Sequence, residues 1–278
     1  MRRMLMQNKG SKTNHKNTDS TSLEFEHHPL IKIDCHSAQS VGKQRTHNED
    51  AIFSCLITSQ DQDLTFSNGL FIIADGMGGH RDGELASAYA IEAASAVMLP
   101  NLTQNISVDE ASDLLNQAVE AAQQAVLEKV PGGGSTLTAA LIVKNQLLIA
   151  HVGDSRLYLI HPNGKFELLT RDHSLVKRLV DLGQISPAEA ADHPHRNVLF
   201  RALGQTEAFK ADMDNLELPK PCLLMLCSDG LWGQVDQNAW LQILKHHNFE
   251  VDACDDLVQA ANDSGGNDNI SVILVKIS

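Results

Sequence analysis

The stretch "GLFIIADGMGGHRDGE", from Gly69 to Glu84, decides how the fold of this chain is interpreted. An apolar run that is typical of a buried strand ends at Asp75, and glycines follow it directly. A charge beside a hydrophobic core is costly unless it is paired with an opposite charge or binds a metal. A single aspartate of this kind is also consistent with a turn residue or a helix N-cap. The interpretation therefore depends on whether other strands of the chain end in the same way.

Three further aspartates stand at the ends of apolar runs. The runs "LLIAHVGD" and "CLLMLCSD" end at Asp154 and Asp229, and "GGNDNISVILV" places Asp268 just before a strand. In antiparallel sheets the end of one strand lies beside the start of its neighbour. The mixed placement of the aspartates therefore predicts that all four meet at one sheet edge.

Four carboxylates at one edge need a compensating positive charge. At ~4 Å and an effective dielectric constant of about 20, each like-charged pair costs on the order of 4 kcal/mol. Lysine and arginine are sparse around these motifs, so a metal is the natural counter-charge. Ligation by oxygen alone selects Mg²⁺ or Mn²⁺ over zinc. A bridging aspartate could hold two ions ~3.5–4 Å apart, with an acidified water between them as a nucleophile.

A second cluster of charged residues lies in "RTHNEDA", which begins at Arg45 and leads into a strand. The guanidinium of Arg45 can bind a phosphate through two parallel hydrogen bonds. Glu49 and Asp50 add carboxylates that can accept hydrogen bonds from metal-bound water. Taken alone, the motif is also an ordinary charged turn. Beside a metal cluster, it would supply the guanidinium that a phosphate-ester site requires.

The composition argues against several classes of partner. The 278 residues include 22 Lys and Arg against 35 Asp and Glu, which gives a formal net charge of −13. This charge disfavours nucleic acid and anionic membrane as partners, because a phosphate backbone requires a basic face. Five scattered cysteines without a CxxC pair indicate reduced thiols, and we expect a cytoplasmic protein. We expect no membrane span, since no stretch approaches ~18 apolar residues, and we expect a monomer.

The chain is predicted to form one domain behind a polar tail. Residues 1–30 are rich in Asn, Ser, Thr and Lys and carry no apolar signal-peptide core, so we expect a disordered tail. Residues 31–278 contain clusters of strands and clusters of helices, which favours an α+β fold with antiparallel sheets. The segment "HPNGK" predicts a hairpin. The block from Ser107 to Lys129 begins with a capping box and is predicted to bury Leu114, Ala118, Ala121 and Ala125 on one face.

Other glycine-rich motifs of nucleotide-binding proteins are not satisfied. In "GMGGHR", Arg81 stands where a dinucleotide fingerprint needs its last glycine. The loop "PGGGSTLT" lacks the lysine of a phosphate-binding P-loop, and no GxSxG motif is present. These absences leave the aspartate clusters as the candidate site.

Taken together, these motifs resemble the metal-dependent serine/threonine protein phosphatases of the PP2C-like (PPM) family, in their bacterial form. The resemblance implies a four-layer α-β-β-α sandwich of two antiparallel sheets flanked by helix pairs, with a metal centre at one edge. It also implies a flap segment over about residues 172–201, beside the site. The matching stretches occur in family order and are "RTHNEDA", "FIIADGMGGHRDGELAS", "GGSTLTAALI", "AHVGDSRLYLI", "LTRDHSLV", "LFRALG", "LLMLCSDGLW" and "GGNDNISVILV".

The resemblance further implies two or three divalent metal ions, Mn²⁺ or Mg²⁺, and a role for each acidic residue. Asp75 would bridge two metals, with the carbonyl of Gly76 as a further ligand. Asp229 and Asp268 would complete the protein ligands of the first metal. The remaining positions are Glu49, which would hold the second metal largely through water, Asp50 in its outer shell, and Asp154, which with Asp229 resembles a third metal site.

The expected activity is the hydrolysis of phosphoserine and phosphothreonine on proteins, with the substrates of a Ser/Thr kinase as partners. By the resemblance, Arg45 would bind the substrate phosphate, and His80 would protonate the leaving oxygen after a metal-bridging hydroxide attacks phosphorus. Two alternatives stay open. One is a catalytically silent regulatory module on the same fold, although such proteins are expected to lose metal aspartates. The other is a small-molecule phosphatase.

Overall fold

The computed structural model describes residues 31–60, 65–78, 81–102, 106–207 and 210–278. The predicted tail over residues 1–30 lies outside the described residues. The strands are β1 (Ile33–Ser40), β2 (Asp50–Gln60), β3 (Thr65–Met77), β4 (Gly134–Ser135), β5 (Leu137–Val143), β6 (Gln146–Val152), β7 (Arg156–Ile160), β8 (Phe166–Leu168), β9 (Asp212–Glu217), β10 (Cys222–Cys227) and β11 (Ile270–Ile277). The helices are α1 (Arg81–Leu102), α2 (Val108–Lys129), α3 (Leu175–Asp181), α4 (Pro187–Ala191), α5 (Asp229–Trp232), α6 (Gln237–His246) and α7 (Cys254–Asp263).

The strands form two antiparallel sheets. The first sheet has the strand order β1-β11-β10-β7-β8, and the second has the order β2-β3-β5-β6-β9. The short β4 pairs with the last two residues of β3. Since β3, β6 and β10 all run toward the same end of the sandwich, while β2 and β11 start there, the predicted aspartates are carried to one end.

Three apolar cores hold four layers together. Helices α1 and α2 pack on the outer face of the second sheet, and Met98, Leu115 and Ile72 belong to the same buried apolar cluster. The inner faces of the two sheets meet at residues such as Phe71 and Leu226, both without solvent exposure. On the outer face of the first sheet, α6 and α7 cover the third core. The predicted α+β class and its four-layer sandwich are confirmed.

The strand that carries Asp75 is longer than the sequence indicates. We expected the apolar run to end at this aspartate, but β3 continues through Gly76 to Met77. The extension forms because Gly76 and Met77 pair with Ser135 and Gly134 of β4. Asp75 therefore lies inside a paired strand rather than at its end, which restrains its backbone more firmly than a turn would.

The predicted buried face of α2 was wrong by about one position. Its capping box is present, with Ser107 as the N-cap and Glu110 as its partner. Of the four residues predicted to face the core, only Ala118 is fully buried. The larger apolar side chains set the buried face, because burying them removes more apolar area from water than burying alanines. The buried residues are Ala111, Leu115, Ala118, Val119, Ala122 and Val126.

The segment between residues 172 and 201 contains more regular structure than the sequence indicated. We expected an irregular stretch after α3, but α4 spans Pro187–Ala191 within it. This helix starts with Ser186 as its N-cap, and Glu189 completes a capping box. The predicted hairpin between β7 and β8 is confirmed, because the N–H of His161 donates to the carbonyl of Lys165 at 2.9 Å.

Two expectations from composition concern the cysteines and membrane-spanning helices. All five cysteines are free. Among the described helices, none combines the length and the apolar character needed to cross a bilayer.

Replacing Trp240 by alanine is expected to lower the free energy of unfolding by about 3–5 kcal/mol, because it leaves a large cavity in the core. Trp240 is only 1% exposed and packs edge-on against Tyr158, with ring centroids 5.4 Å apart. Urea denaturation followed by circular dichroism measures the change. The matched control is Leu182→Ala at a side chain that is 62% exposed, which should change stability by less than about 0.5 kcal/mol. Equal effects of the two substitutions would contradict the assignment of Trp240 to the core.

Candidate metal centre

Both sheets contribute carboxylates to the same end of the sandwich. The second sheet supplies Asp50 and Asp75, which are direct partners across β2 and β3, and Asp154, which follows β6. The first sheet supplies Asp229 after β10 and Asp268 before β11. Burial is the main cause that raises the pKa of Asp75 well above its usual value, and the charges of the other four aspartates add to it. The structure therefore brings the predicted aspartates together.

The electrostatic cost of this arrangement is visible in the pKa values. Burial raises the pKa of Asp50 to about 6, although hydrogen bonds from Ser271 and Ser228 oppose the shift. Burial also raises the pKa of Asp154 to about 7, and the neighbouring charge of Asp172 adds to it. The pKa of Asp229 is raised well above its usual value by burial and then by the charge of Asp154. The described cations do not fully compensate these carboxylates.

The backbone around Asp75 is tightly restrained. Its N–H donates to the side-chain oxygen of Thr136 at 2.8 Å, and its carbonyl accepts from the N–H of the same residue at 2.8 Å. Gly76 approaches the chain so closely that a Cβ there would lie 2.0 Å from the carbonyl oxygen of Gly83. Any larger residue at position 76 would therefore displace the strand.

Glu49 and the carbonyl of Gly76 face a common point. A Cβ built on Gly83 would lie 2.2 Å from the Oε2 atom of Glu49 and 3.0 Å from the carbonyl oxygen of Gly76. These two oxygens are therefore near neighbours; the family resemblance implies the Gly76 carbonyl as a metal ligand and Glu49 as a residue that holds a metal largely through water. The N–H of Gly76 also donates to the carbonyl of Glu49 at 3.1 Å, which fixes the two residues relative to each other.

Arg45 lies at the rim of the carboxylate group. Its Nη2 atom donates to the Oδ2 atom of Asp268 at 2.7 Å, and the side chain is 47% exposed. The other oxygen of Asp268 accepts from the N–H of Asn269 at 2.9 Å. A cation that used the Oδ2 atom of Asp268 would share it with Arg45 or displace the guanidinium toward solvent.

The donor set fits a hard divalent cation. Among the described residues, no three His, Cys, Asp or Glu side chains already enclose a point as metal ligands. The carboxylates nevertheless raise one another's pKa values, and the buried Oδ1 atom of Asp50 has no hydrogen-bond partner. Oxygen-only donors with uncompensated charge are the environment that Mg²⁺ and Mn²⁺ prefer. The residues present therefore fit the expected ions. The carboxylate side chains would have to rotate to complete the coordination sphere of a bound cation.

Sequence reasoning missed a group of residues around Asp154. The Nε1 atom of Trp232 donates to the carbonyl of Asp154 at 3.0 Å, and the guanidinium of Arg156 stacks 3.6 Å from the Trp232 ring. Arg156 also forms two hydrogen bonds with Asp172, at 3.0 and 2.7 Å. The only sequence signal was an arginine at the start of a strand in "GDSRLYLI", which does not indicate its partner.

The predicted proton donor lies outside the described residues. His80 falls in the gap between the described residues 78 and 81, so its role stays a prediction. The roles of the individual carboxylates stay predictions as well, although their convergence is now established.

Two antiparallel sheets with an edge of carboxylates define a class of protein suited to bind divalent cations, and comparisons with known proteins show which family this is. The family model described as Protein phosphatase 2C matches residues 40–274. Serine/threonine phosphatase stp from Listeria welshimeri is 37% identical over 84% of this chain and 92% of its own. Protein phosphatase PhpP from Streptococcus pneumoniae is 33% identical over 86% of this chain and 95% of its own.

Solved structures give the same result. The serine/threonine phosphatase PstP/Ppp of Mycobacterium tuberculosis has a TM-score of 0.75 and 31% identity, and the match covers 88% of this chain and 98% of that one. A catalytic domain of PstP in complex with two manganese ions has a TM-score of 0.74 and 29% identity, with 89% and 99% of the chains covered. This chain therefore belongs to the protein phosphatase 2C family.

Replacing Asp154 by asparagine is expected to stabilise the metal-free protein at high pH. The pKa of Asp154 is raised from 3.8 to about 7 in the folded protein. The stability that its protonated form provides is therefore present at low pH and is lost as the pH rises through about 7. Because asparagine does not titrate, the stability of the variant relative to wild type should grow between about pH 5 and about pH 8. Over this range the difference in the free energy of unfolding between variant and wild type should increase by more than about 1.4 kcal/mol, the free energy that corresponds to a shift of one pKa unit.

Urea denaturation in EDTA at several pH values measures this difference. A difference between variant and wild type that stays constant across the range would contradict the raised pKa.

Proposed function

We propose that this chain is a metal-dependent protein phosphatase that hydrolyses phosphoserine and phosphothreonine esters. The observation that carries the proposal is the group of five aspartates drawn from both sheets. Burial and mutual repulsion raise the pKa values of four of them, which are Asp50, Asp75, Asp154 and Asp229. Membership of the protein phosphatase 2C family supports the reaction class. The relatives named as serine/threonine phosphatases support phosphoproteins as the substrates.

The carboxylate edge is proposed to hold two or three divalent cations, Mn²⁺ or Mg²⁺. The related PstP domain with two manganese ions supports this assignment. When bound, such cations supply an activated water as the nucleophile and neutralise charge on the phosphoryl group. The residues proposed to hold them are Asp75, the carbonyl of Gly76, Asp229, Asp268, Glu49 and Asp154, with Asp50 in the outer shell.

The side chains of this chain then bind the ester and move its proton. Arg45 is half-exposed at the rim, so its guanidinium can grip two oxygens of an incoming phosphate in a bidentate contact. His80 is proposed to donate a proton to the departing serine or threonine oxygen, a task suited to a group that titrates near neutral pH. The buried carboxylates repel free anions, so the phosphate is expected to bind only where cationic groups compensate its charge.

The finer assignments extend this proposal. Residues 31–278 are proposed to form one phosphatase domain behind a tail at residues 1–30, and the flap segment at about 172–201 to serve as a platform for the phosphoprotein. The two bonds between Arg156 and Asp172 support this role, because they anchor the start of the flap next to Asp154. We further propose that the protein acts as a monomer in the cytoplasm on the substrates of a Ser/Thr kinase.

Hydrolysis of a phosphothreonine peptide should require Mn²⁺ and should be lost in Asp229→Ala. Removal of one carboxylate from the proposed ligand set is expected to lower kcat/KM by at least about 100-fold, since ligands contribute at least as much as their hydrogen-bonded neighbours. Phosphate release with Mn²⁺ and with EDTA measures the loss. Asp255→Ala removes an aspartate whose side chain is 77% exposed on α7, and this control should keep wild-type turnover.

Two outcomes would change the proposal. Binding of Mn²⁺ without turnover of any phosphoester would favour the regulatory binding module. Faster turnover of sugar phosphates than of phosphopeptides would favour a small-molecule phosphatase.

Replacing Arg45 by alanine is expected to weaken the binding of phosphate. A charge-assisted hydrogen bond contributes about 1.5–3 kcal/mol, so the inhibition constant of inorganic phosphate should rise by roughly 10- to 100-fold. KM for the phosphopeptide should rise in parallel. Arg45→Lys keeps the charge but loses the bidentate geometry, so its inhibition constant should lie between those of wild type and Arg45→Ala. Unchanged inhibition by phosphate in Arg45→Ala would contradict this role.

A further inference from the structure

A hydrogen-bonded link connects the two sheets at the carboxylate edge. The hydroxyls of Ser228, at the end of β10, and Ser271, on β11, both donate to the Oδ2 atom of Asp50 on β2, at 2.8 and 2.7 Å. Both serines have no solvent exposure, and Asp50 is 7% exposed. The three side chains therefore form a buried polar contact that runs from the first sheet to the second.

The neighbouring hydrogen bonds favour an arrangement in which both serine hydroxyls donate their protons to Asp50. The N–H of Ser271 donates to the hydroxyl oxygen of Ser228 at 3.0 Å, and the side-chain amide of Gln39 donates to the hydroxyl oxygen of Ser271 at 2.8 Å. Each hydroxyl thus accepts one bond and has a single proton to donate. The Ser228 hydroxyl lies 2.8 Å from the carboxylate of Asp50 and 3.4 Å from its other acceptor, the carbonyl of Asn269, so the shorter bond to Asp50 is favoured. The N–H of Ser228 also donates to the carbonyl of Ser271 at 3.1 Å, which fixes the serines relative to each other.

The geometry of Asp50 follows from these bonds. Because Oδ2 is held by two hydroxyls, the direction of Oδ1 is fixed, and Oδ1 is buried without a hydrogen-bond partner. Asp50 lies directly opposite Asp75 in the pairing of β2 with β3. The restrained carboxylate therefore stands beside the aspartate that the sequence predicts to bridge two cations.

We propose that Asp50, Ser228 and Ser271 form a cross-sheet clamp that sets the distance between the two halves of the carboxylate edge, with the two serines as positioning residues for cation binding. The clamp rests on the proposed function, because that function assigns the edge to cations. Asp50 and Asp75 belong to the second sheet, whereas Asp229 and Asp268 belong to the first. The carboxylates of the two sheets repel one another, and the clamp opposes separation of the sheets at this edge. The spacing of the carboxylates there determines the affinity for cations.

The double variant Ser228→Ala/Ser271→Ala tests the clamp, because it removes both donors while every carboxylate remains. Isothermal titration calorimetry with Mn²⁺ alone is expected to show affinity reduced by about 10-fold. This is the low end of the loss typical of outer-shell partners, because the serines act on the cations through Asp50 in the outer shell. Asp50→Asn keeps an acceptor oxygen for both serines, so it should bind Mn²⁺ more tightly than Asp50→Ala. Should the double variant fail to fold, the two single variants retain one donor each and are expected to show intermediate affinities.

The matched control is Ser95→Ala, at a buried serine whose hydroxyl donates within its own helix to the carbonyl of Glu92 at 3.1 Å. Its Mn²⁺ affinity should equal that of wild type. If the double variant folds and binds Mn²⁺ with wild-type affinity, the clamp is overturned and the proposed function is not. The same conclusion follows if Ser95→Ala loses as much Mn²⁺ affinity as the double variant. If the wild type binds Mn²⁺ but has no phosphatase activity, the proposed function is overturned. The clamp is still supported in that case if the double variant binds Mn²⁺ more weakly than the wild type. A wild type that binds no Mn²⁺ would overturn both.

Discussion

Repulsion among carboxylates at the junction of two sheets is the constraint on which the rest of this structure depends. Asp75 and Asp229 come from different sheets, and each has its pKa raised by burial and by the charges of its neighbours. Charges this close are tolerated only when the surrounding structure holds them in place at a cost to stability. The distance between them is set by how the sheets pack, so the packing of the sandwich and the chemistry of its edge form one problem.

The core between the sheets provides the opposing force. Phe71 and Leu226 are fully buried at the sheet interface, and burial of such side chains contributes roughly 1.5–3 kcal/mol each. This apolar contact is not directional, so it holds the sheets together without fixing their edges. Directional contacts at the edge itself, such as the hydrogen bonds to Asp50, are therefore needed to convert a packed sandwich into a defined set of ligand positions.

The parts of this structure that follow local sequence patterns were predictable. Each aspartate next to an apolar run could be assigned to the edge because the end of a strand is a local feature. The capping box at Ser107 and the hairpin before Lys165 are local in the same sense. The bonds from Ser228 and Ser271 to Asp50 were not predictable, since the partners are 178 and 221 residues apart and meet only after the sheets dock. The buried face of α2 was misjudged because alanine is found on both its buried and its half-exposed sides.

The pairing of Arg156 explains why one of two neighbouring aspartates is suited to bind a cation and the other is suited to hold a segment in place. Asp172 lies close enough to Asp154 that its charge raises the pKa of Asp154. Arg156 donates two hydrogen bonds to Asp172 and a third to the hydroxyl of Tyr158, and none of these bonds goes to Asp154. Asp172 is therefore paired with a guanidinium and anchors the following segment, whereas Asp154 accepts no hydrogen bond from Arg156 and its pKa is raised to about 7, mainly by burial. A cation site requires carboxylates that are not paired with arginine or lysine. Here, within the described part of the chain, the orientation of the Arg156 side chain toward Asp172 leaves Asp154 without such a pair.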